Sequence, residues 1–213
     1  IPSKFNNIGA ELGREMSLRM PLVDFFSIKS NLSNNIIDAS PMLWELRIIK
    51  SNAEIDKINH ICKITSNAYE NLPLLIKEGD TERDISRKLK IDLISRGADS
   101  ISFLPIVSGE GGVSQIICEP TNMRLKNGDI LFIDTGSTYD GYFCDFDRNY
   151  SIGKVSDIVN DVYEILWIAT QSAIDIAKPG ITLSDLWQIM VEKLDKYLPK
   201  NYSYGRFGHG MGL

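Results

Sequence analysis

Basic charge, cysteine and histidine are all scarce in this 213-residue chain, and each shortage excludes something. Lysine and arginine number 23 against 28 aspartates and glutamates, a net charge of −5. Without a cationic surplus there is no basic stripe to displace counterions from phosphates, so no nucleic-acid partner is expected. The three cysteines, Cys62, Cys118 and Cys144, are an odd number without framework spacing. A reducing, cytoplasmic setting is therefore expected rather than a disulfide scaffold. No apolar run reaches the roughly 18 residues of a membrane helix, and no membrane partner is expected. Ile1 opens no signal peptide and is no natural start residue, so we read the chain as cut from something longer. What is present is ordinary globular material. Hydrophobic residues make up 43% and charged residues 24%, and a chain this long buries roughly 70% of its unfolded surface without staples.

Residues 1–45 differ from the rest. Ile8 to Leu12 and Ile36 to Ser40 read as short strands and Met20 to Ser30 as a helix, with no obvious core of their own. They are read as the tail of a preceding domain, and residues 46–213 as a second, incomplete one. From Ser51 the pattern becomes regular. Ser51 and Glu54 form a capping box, and Ile55, Ile58, Cys62, Thr65, Tyr69 and Leu72 follow at helical spacing as one buried stripe to about residue 77. Thr81 to Asp84 caps a second helix with Ile85, Leu89 and Leu93 on one side, closed by Gly97. Residues 101–107, 129–134 and 142–150 read as strands, and two further helices follow, from Asp157 to about Ala177 and from Thr182 to about Tyr197.

The chain nearly repeats itself at an offset of 101 residues. Lys77, Gly79, Thr81 and Asp84 recur as Lys178, Gly180, Thr182 and Asp185, and Ser108-Gly109-Glu110-Gly111 falls on His209-Gly210-Met211-Gly212. Capping chemistry used twice would explain the first match. An offset kept through two helices into a Gly-x-Gly segment points instead to a duplicated half-domain, whose second half stops before its strand hairpin.

That hairpin carries the chemistry. Asp140-Gly141 is a strong turn signal. A two- or four-residue loop puts Asp134 and Asp145 on one face of the ribbon. They stand directly opposite, about 5 Å apart, if the loop is centred on Tyr139-Asp140, and diagonally, about 7–8 Å apart, if it is centred on Asp140-Gly141. A three-residue loop without a bulge would separate them. Paired carboxylates in apolar strands need neutralising, either by a shared divalent cation or by a shared proton. A third reading makes Asp134 a turn residue and Asp145 the partner of Arg148. His209, between glycines that let backbone approach closely, favours the metal, and imidazole with carboxylates suits Mn, Fe, Co or Zn. His60, mid-helix without an acidic neighbour, is read as structural, and Cys144 as core filler on the opposite face from Asp145.

Asp134-x-Gly, Asp145 eleven residues on, and His209-Gly-x-Gly together resemble the pita-bread metallopeptidases. These include Xaa-Pro aminopeptidases, prolidases and methionine aminopeptidases, with creatinase-like relatives. Leu46-Arg47-Ile48-Ile49-Lys50-Ser51, Pro105-Ile106-Val107-x-Gly109 and Asn127-Gly128-Asp129 add to the resemblance. It implies an α+β pita-bread fold of two similar halves after the tail of an α/β N-terminal domain, a homodimer, and a small peptide or small-molecule substrate. Asp134, Asp145 and His209 would match three of five ligands to two divalent ions (Mn, Co or Zn), with two glutamates lying beyond Leu213. In such enzymes a hydroxide bridging the metals attacks the scissile amide. Two departures stand out. Ile117 occupies the position, shortly before Pro120-Thr121, where such peptidases carry a histidine that stabilises the tetrahedral intermediate, and losing such a donor costs about 10²–10³-fold. Asp147-Arg148 replaces a Thr-Arg pair, which places both residues in the site's surroundings. The expectation is an Xaa-Pro peptidase, with two alternatives: a creatinase-like enzyme acting on a non-peptide molecule, and a non-catalytic binding module.

Overall fold

The structure, a computed structural model, describes residues 5–14, 16–198 and 202–212, so Ile1 and Leu213 lie outside the described residues. The chain divides into two compact units, one up to Ile55 and one from Asp56.

In the first unit, β1 (Asn7–Ala10) and β2 (Asn35–Asp38) pair in parallel on either side of α1 (Leu22–Asn31), and α2 (Ser40–Ile48) follows. Helix α2 was not legible in the sequence pattern. The Asp38 carboxylate starts it, accepting from the Ser40 amide at 2.9 Å and its hydroxyl at 2.6 Å, and these bonds hold the Asp38 carboxyl below its ordinary range.

The second unit is α+β. Helix α3 (Asn52–Leu75) opens on the expected capping box, the Ser51 amide donating to Glu54 at 2.6 Å. Its buried stripe is Ile61, Ile64, Thr65, Ala68, Tyr69 and Leu72. The expected stripe ran partly along its flank: Ile55 is exposed, and Ile58 and Cys62 are half-buried. The reason is that α3 leaves its first turns in solvent, so the core selects the side of the helix that the later residues define. Helix α4 (Glu82–Ser95) buries Ile85, Leu89 and Leu93 completely, as expected, and Gly97 ends it with φ +107°.

The sheet is built on β5 (Asp129–Tyr139), which pairs antiparallel with β6 (Tyr142–Ser151) on one side. Its other side is shared by β3 (Ser100–Phe103) and β4 (Ile106–Glu110). The single strand expected over 101–107 is thus two, broken at Leu104-Pro105 because proline has no amide to give the ladder. Leu131, Ile133 and Cys144 point from the sheet into the core formed with α3 and α4. Helices α5 (Asp157–Ile176) and α6 (Leu183–Leu194) complete the described elements. The 101-residue offset is visible in the backbone. Gly79 and Gly180 have φ +89° and +96°, and Thr81 with Asp84 and Thr182 with Asp185 form matching two-way capping boxes.

Candidate functional site

The β5–β6 turn decides the geometry of the acidic residues. Asp140 and Gly141 both adopt positive φ, +47° and +83°, the two-residue turn that matches strand twist, and Tyr139 pairs with Tyr142. From there the register places Asp134 opposite Asp147 and Asp145 opposite Gly136. Asp134 and Asp145 are therefore diagonal neighbours on one face, the second of the two loop settings. Asp147, which the sequence placed only in the surroundings, is the residue that faces Asp134 directly. The opposite face of the same strands carries Thr135 and Cys144, both fully buried; Cys144 is core filler, as read.

Asp134 sits where the neighbouring strand is interrupted, and its amide donates to the Pro105 carbonyl at 3.1 Å. Its Oδ1 is buried without a hydrogen-bond partner among the described residues. Burial first, then the charges of Asp147 and Asp145, push its pKa up to about 7. Asp147 is also raised, by burial and by Asp145, against the opposing pull of Arg148. Arg148 lies over the Phe146 ring at 4.9 Å and donates to the Asp147 carbonyl at 2.6 Å. Asp145 pairs with His209 instead.

His209 reaches the cluster because its segment docks on the outer edge of β6, where the Phe143 amide donates to the Gly212 carbonyl at 2.9 Å. Its Nε2 then lies 3.0 Å from Asp145 Oδ2, while Nδ1 donates to the Gly210 carbonyl at 2.9 Å. Both ring nitrogens thus face oxygens, and the place between Nε2 and Asp145 calls for a proton or a cation. No three His, Cys, Asp or Glu side chains among the described residues form a ready-made metal cage. The donor set nevertheless suits a divalent transition ion: the partnerless buried Asp134 oxygen, two further carboxylates and an imidazole.

Ile117 lies in the irregular stretch between β4 and β5 and is 81% exposed. The His60 ring packs against Tyr139, tilted, with ring centres 4.3 Å apart, in keeping with its structural reading.

The contacts of three residues escaped the sequence reading. A Cβ at Gly136 would meet the Phe103 ring at 2.1 Å, so the glycine of Asp134-x-Gly admits an aromatic wall beside Asp145. Glu82 is 3% exposed and accepts four hydrogen bonds, from the amides and hydroxyls of Ser108 and Thr121, at 2.7–2.9 Å. Tyr69 is buried beneath the strands. In a one-dimensional pattern Glu82 reads as a first-turn helix acid and Tyr69 as stripe, and only the pairing of distant segments reveals their partners.

Residues 56–213 match metallopeptidase family M24. The chain is 30% identical over 202 residues to the Xaa-Pro dipeptidase of Pyrococcus furiosus, covering 95% of this chain and 58% of that protein. Among solved structures it resembles the X-Pro aminopeptidase from Thermotoga maritima, with a TM-score of 0.85 and 28% identity over 97% of this chain and 57% of the other. The prolidase from Pyrococcus furiosus gives a TM-score of 0.84 and 27% identity, with 60% of that chain covered. The chain thus spans less than two thirds of the length of these relatives.

Proposed function

Because the chain belongs to metallopeptidase family M24, with the α+β pita-bread fold of its structural neighbours, we propose that the protein hydrolyses small Xaa-Pro peptides. On this reading Asp134, Asp145 and His209 hold part of a site for two divalent ions, Mn, Co or Zn. The observation that carries it is the convergence of Asp134, Asp145 and Asp147 on one face of the hairpin with His209 3.0 Å from Asp145. When bound, such ions supply Lewis-acid polarisation of the amide carbonyl and a lowered pKa for water.

The chain's own residues do the rest. The Gly210 carbonyl fixes the His209 ring so that Nε2, not Nδ1, faces the cluster. Asp147 adds negative charge opposite Asp134, and Arg148 tempers it. The Phe103 ring packs against Gly136, the residue paired with Asp145. Residues 1–45 are proposed as the end of an N-terminal domain and 46–213 as part of the catalytic one, in a cytoplasmic homodimer.

Release of proline from Xaa-Pro dipeptides by the full-length protein with added Mn²⁺ tests the proposal. No turnover of any such dipeptide with two ions bound would overturn it. Ile117 favours a second reading, a creatinase-like enzyme with a non-peptide substrate, because that position offers no donor to a tetrahedral oxyanion. Ile117→His separates the two: a peptidase gains activity toward dipeptides, by about tenfold or more, whereas an enzyme for another substrate shows no gain.

A further inference from the structure

Tyr69 belongs to none of the ligand positions, yet its hydroxyl ends directly under them. It lies 2.8 Å from Thr135 Oγ1 on β5, 3.0 Å from the Phe146 carbonyl on β6 and 3.3 Å from the Ile133 carbonyl. Thr135 and Phe146 are the cross-strand pair next to Asp134 and Asp147. The helix end of Tyr69 is fixed as well, since its carbonyl accepts from the Tyr150 hydroxyl at 2.9 Å and the two rings stack. One helix residue therefore ties both strands together at the row beside the carboxylates.

The β5–β6 hairpin carries three carboxylates on one face. Their repulsion opposes the pairing of β5 and β6 at the point where Tyr69 joins them.

We propose that Tyr69 is a positioning residue that holds β5 and β6 in register beneath Asp134, Asp145 and Asp147, so that the carboxylates stand assembled before a cation arrives. The proposal rests on the reading of Asp134 and Asp145 as metal ligands. Tyr69→Phe removes only the hydroxyl. In the metal-free chain, amides of residues 134–136 and 144–147 should exchange at least about tenfold faster, with the β4–β5 rows at 130–133 unchanged. Mn²⁺ affinity should fall about tenfold, the effect of losing a residue that orients metal ligands. Thr65→Val is the control. It removes a buried hydroxyl from the same helix one turn away, which touches Ser137 and Cys144 Sγ at 3.1 Å each and so bridges the strands on the turn side of Asp145, away from Asp134 and Asp147, and should leave Mn²⁺ affinity within about twofold. Exchange that rises evenly or not at all, unchanged Mn²⁺ binding in Tyr69→Phe, or an equal loss in Thr65→Val would overturn the proposal. A parent protein that binds no Mn²⁺ removes the metal reading alone, and exchange still decides the role of Tyr69. Should Tyr69→Phe fail to fold, Thr135→Val cuts the same link from the strand.

Discussion

At Asp134 burial, the facing Asp147 and the diagonal Asp145 all act in one direction, and the folded carboxyl titrates near 7 rather than 3.8. The sign of the stability effect follows. Between pH 4 and 7 the folded metal-free chain holds a proton that the unfolded chain has lost, so stability falls as pH rises through that window. Thermal melting against pH should show this fall, and Asp134→Asn should flatten it. Asp145→Asn should lose metal while keeping the fold, with metal content and circular dichroism as the readouts; unchanged metal stoichiometry would remove Asp145 from the ligands. Asp134, Asp145 and His209 were legible as a set because each carries its own local signal, a turn or flanking glycines. That Asp147 faces Asp134 was not, because it depends on which two residues make the turn.

Among the elements, Glu82 is the join between α4, β4 and the irregular segment after it. Its carboxylate accepts from Ser108 at one oxygen and from Thr121 at the other, closing residues 109–120 into a loop. Glu82→Ala leaves the buried Ser108 amide and the part-buried Thr121 amide without their acceptor, which should cost roughly 1–3 kcal/mol. Chemical denaturation measures the loss, and a change under about 1 kcal/mol would mean the loop is held otherwise. Helices α3 to α6 were readable from caps and periodicity, since both are local, whereas α2, which has no side-chain cap of its own, was not. The break at Pro105 and the side of α3 that is buried were not, because a neighbouring strand and the core decide them.

Across the whole molecule, large apolar side chains are exposed in both units, the last two helices included. Ile158, Trp167 and Leu183 are 74%, 57% and 81% exposed, and Val162 and Leu166 are also open. Exposed apolar surface on this scale favours association. The isolated 213-residue chain should therefore enhance the fluorescence of an apolar dye and self-associate with rising concentration, as light scattering would show. A dye-silent monomer would contradict this. None of its described helices is long and apolar enough to cross a membrane.

By itself the sequence determined helices α3 to α6, the hairpin turn, the 101-residue repeat and the residues that bear charge or imidazole. All of these are set by chemistry within a few neighbouring positions or by identity at a fixed offset. The tertiary structure alone decided that Asp147 stands opposite Asp134, that β6 brings His209 to Asp145, and that Tyr69 and Glu82 bind segments far along the chain. These depend on register and on contacts between residues dozens of positions apart, where hydrogen bonds and burial become definite only once the sheet has closed on its helices.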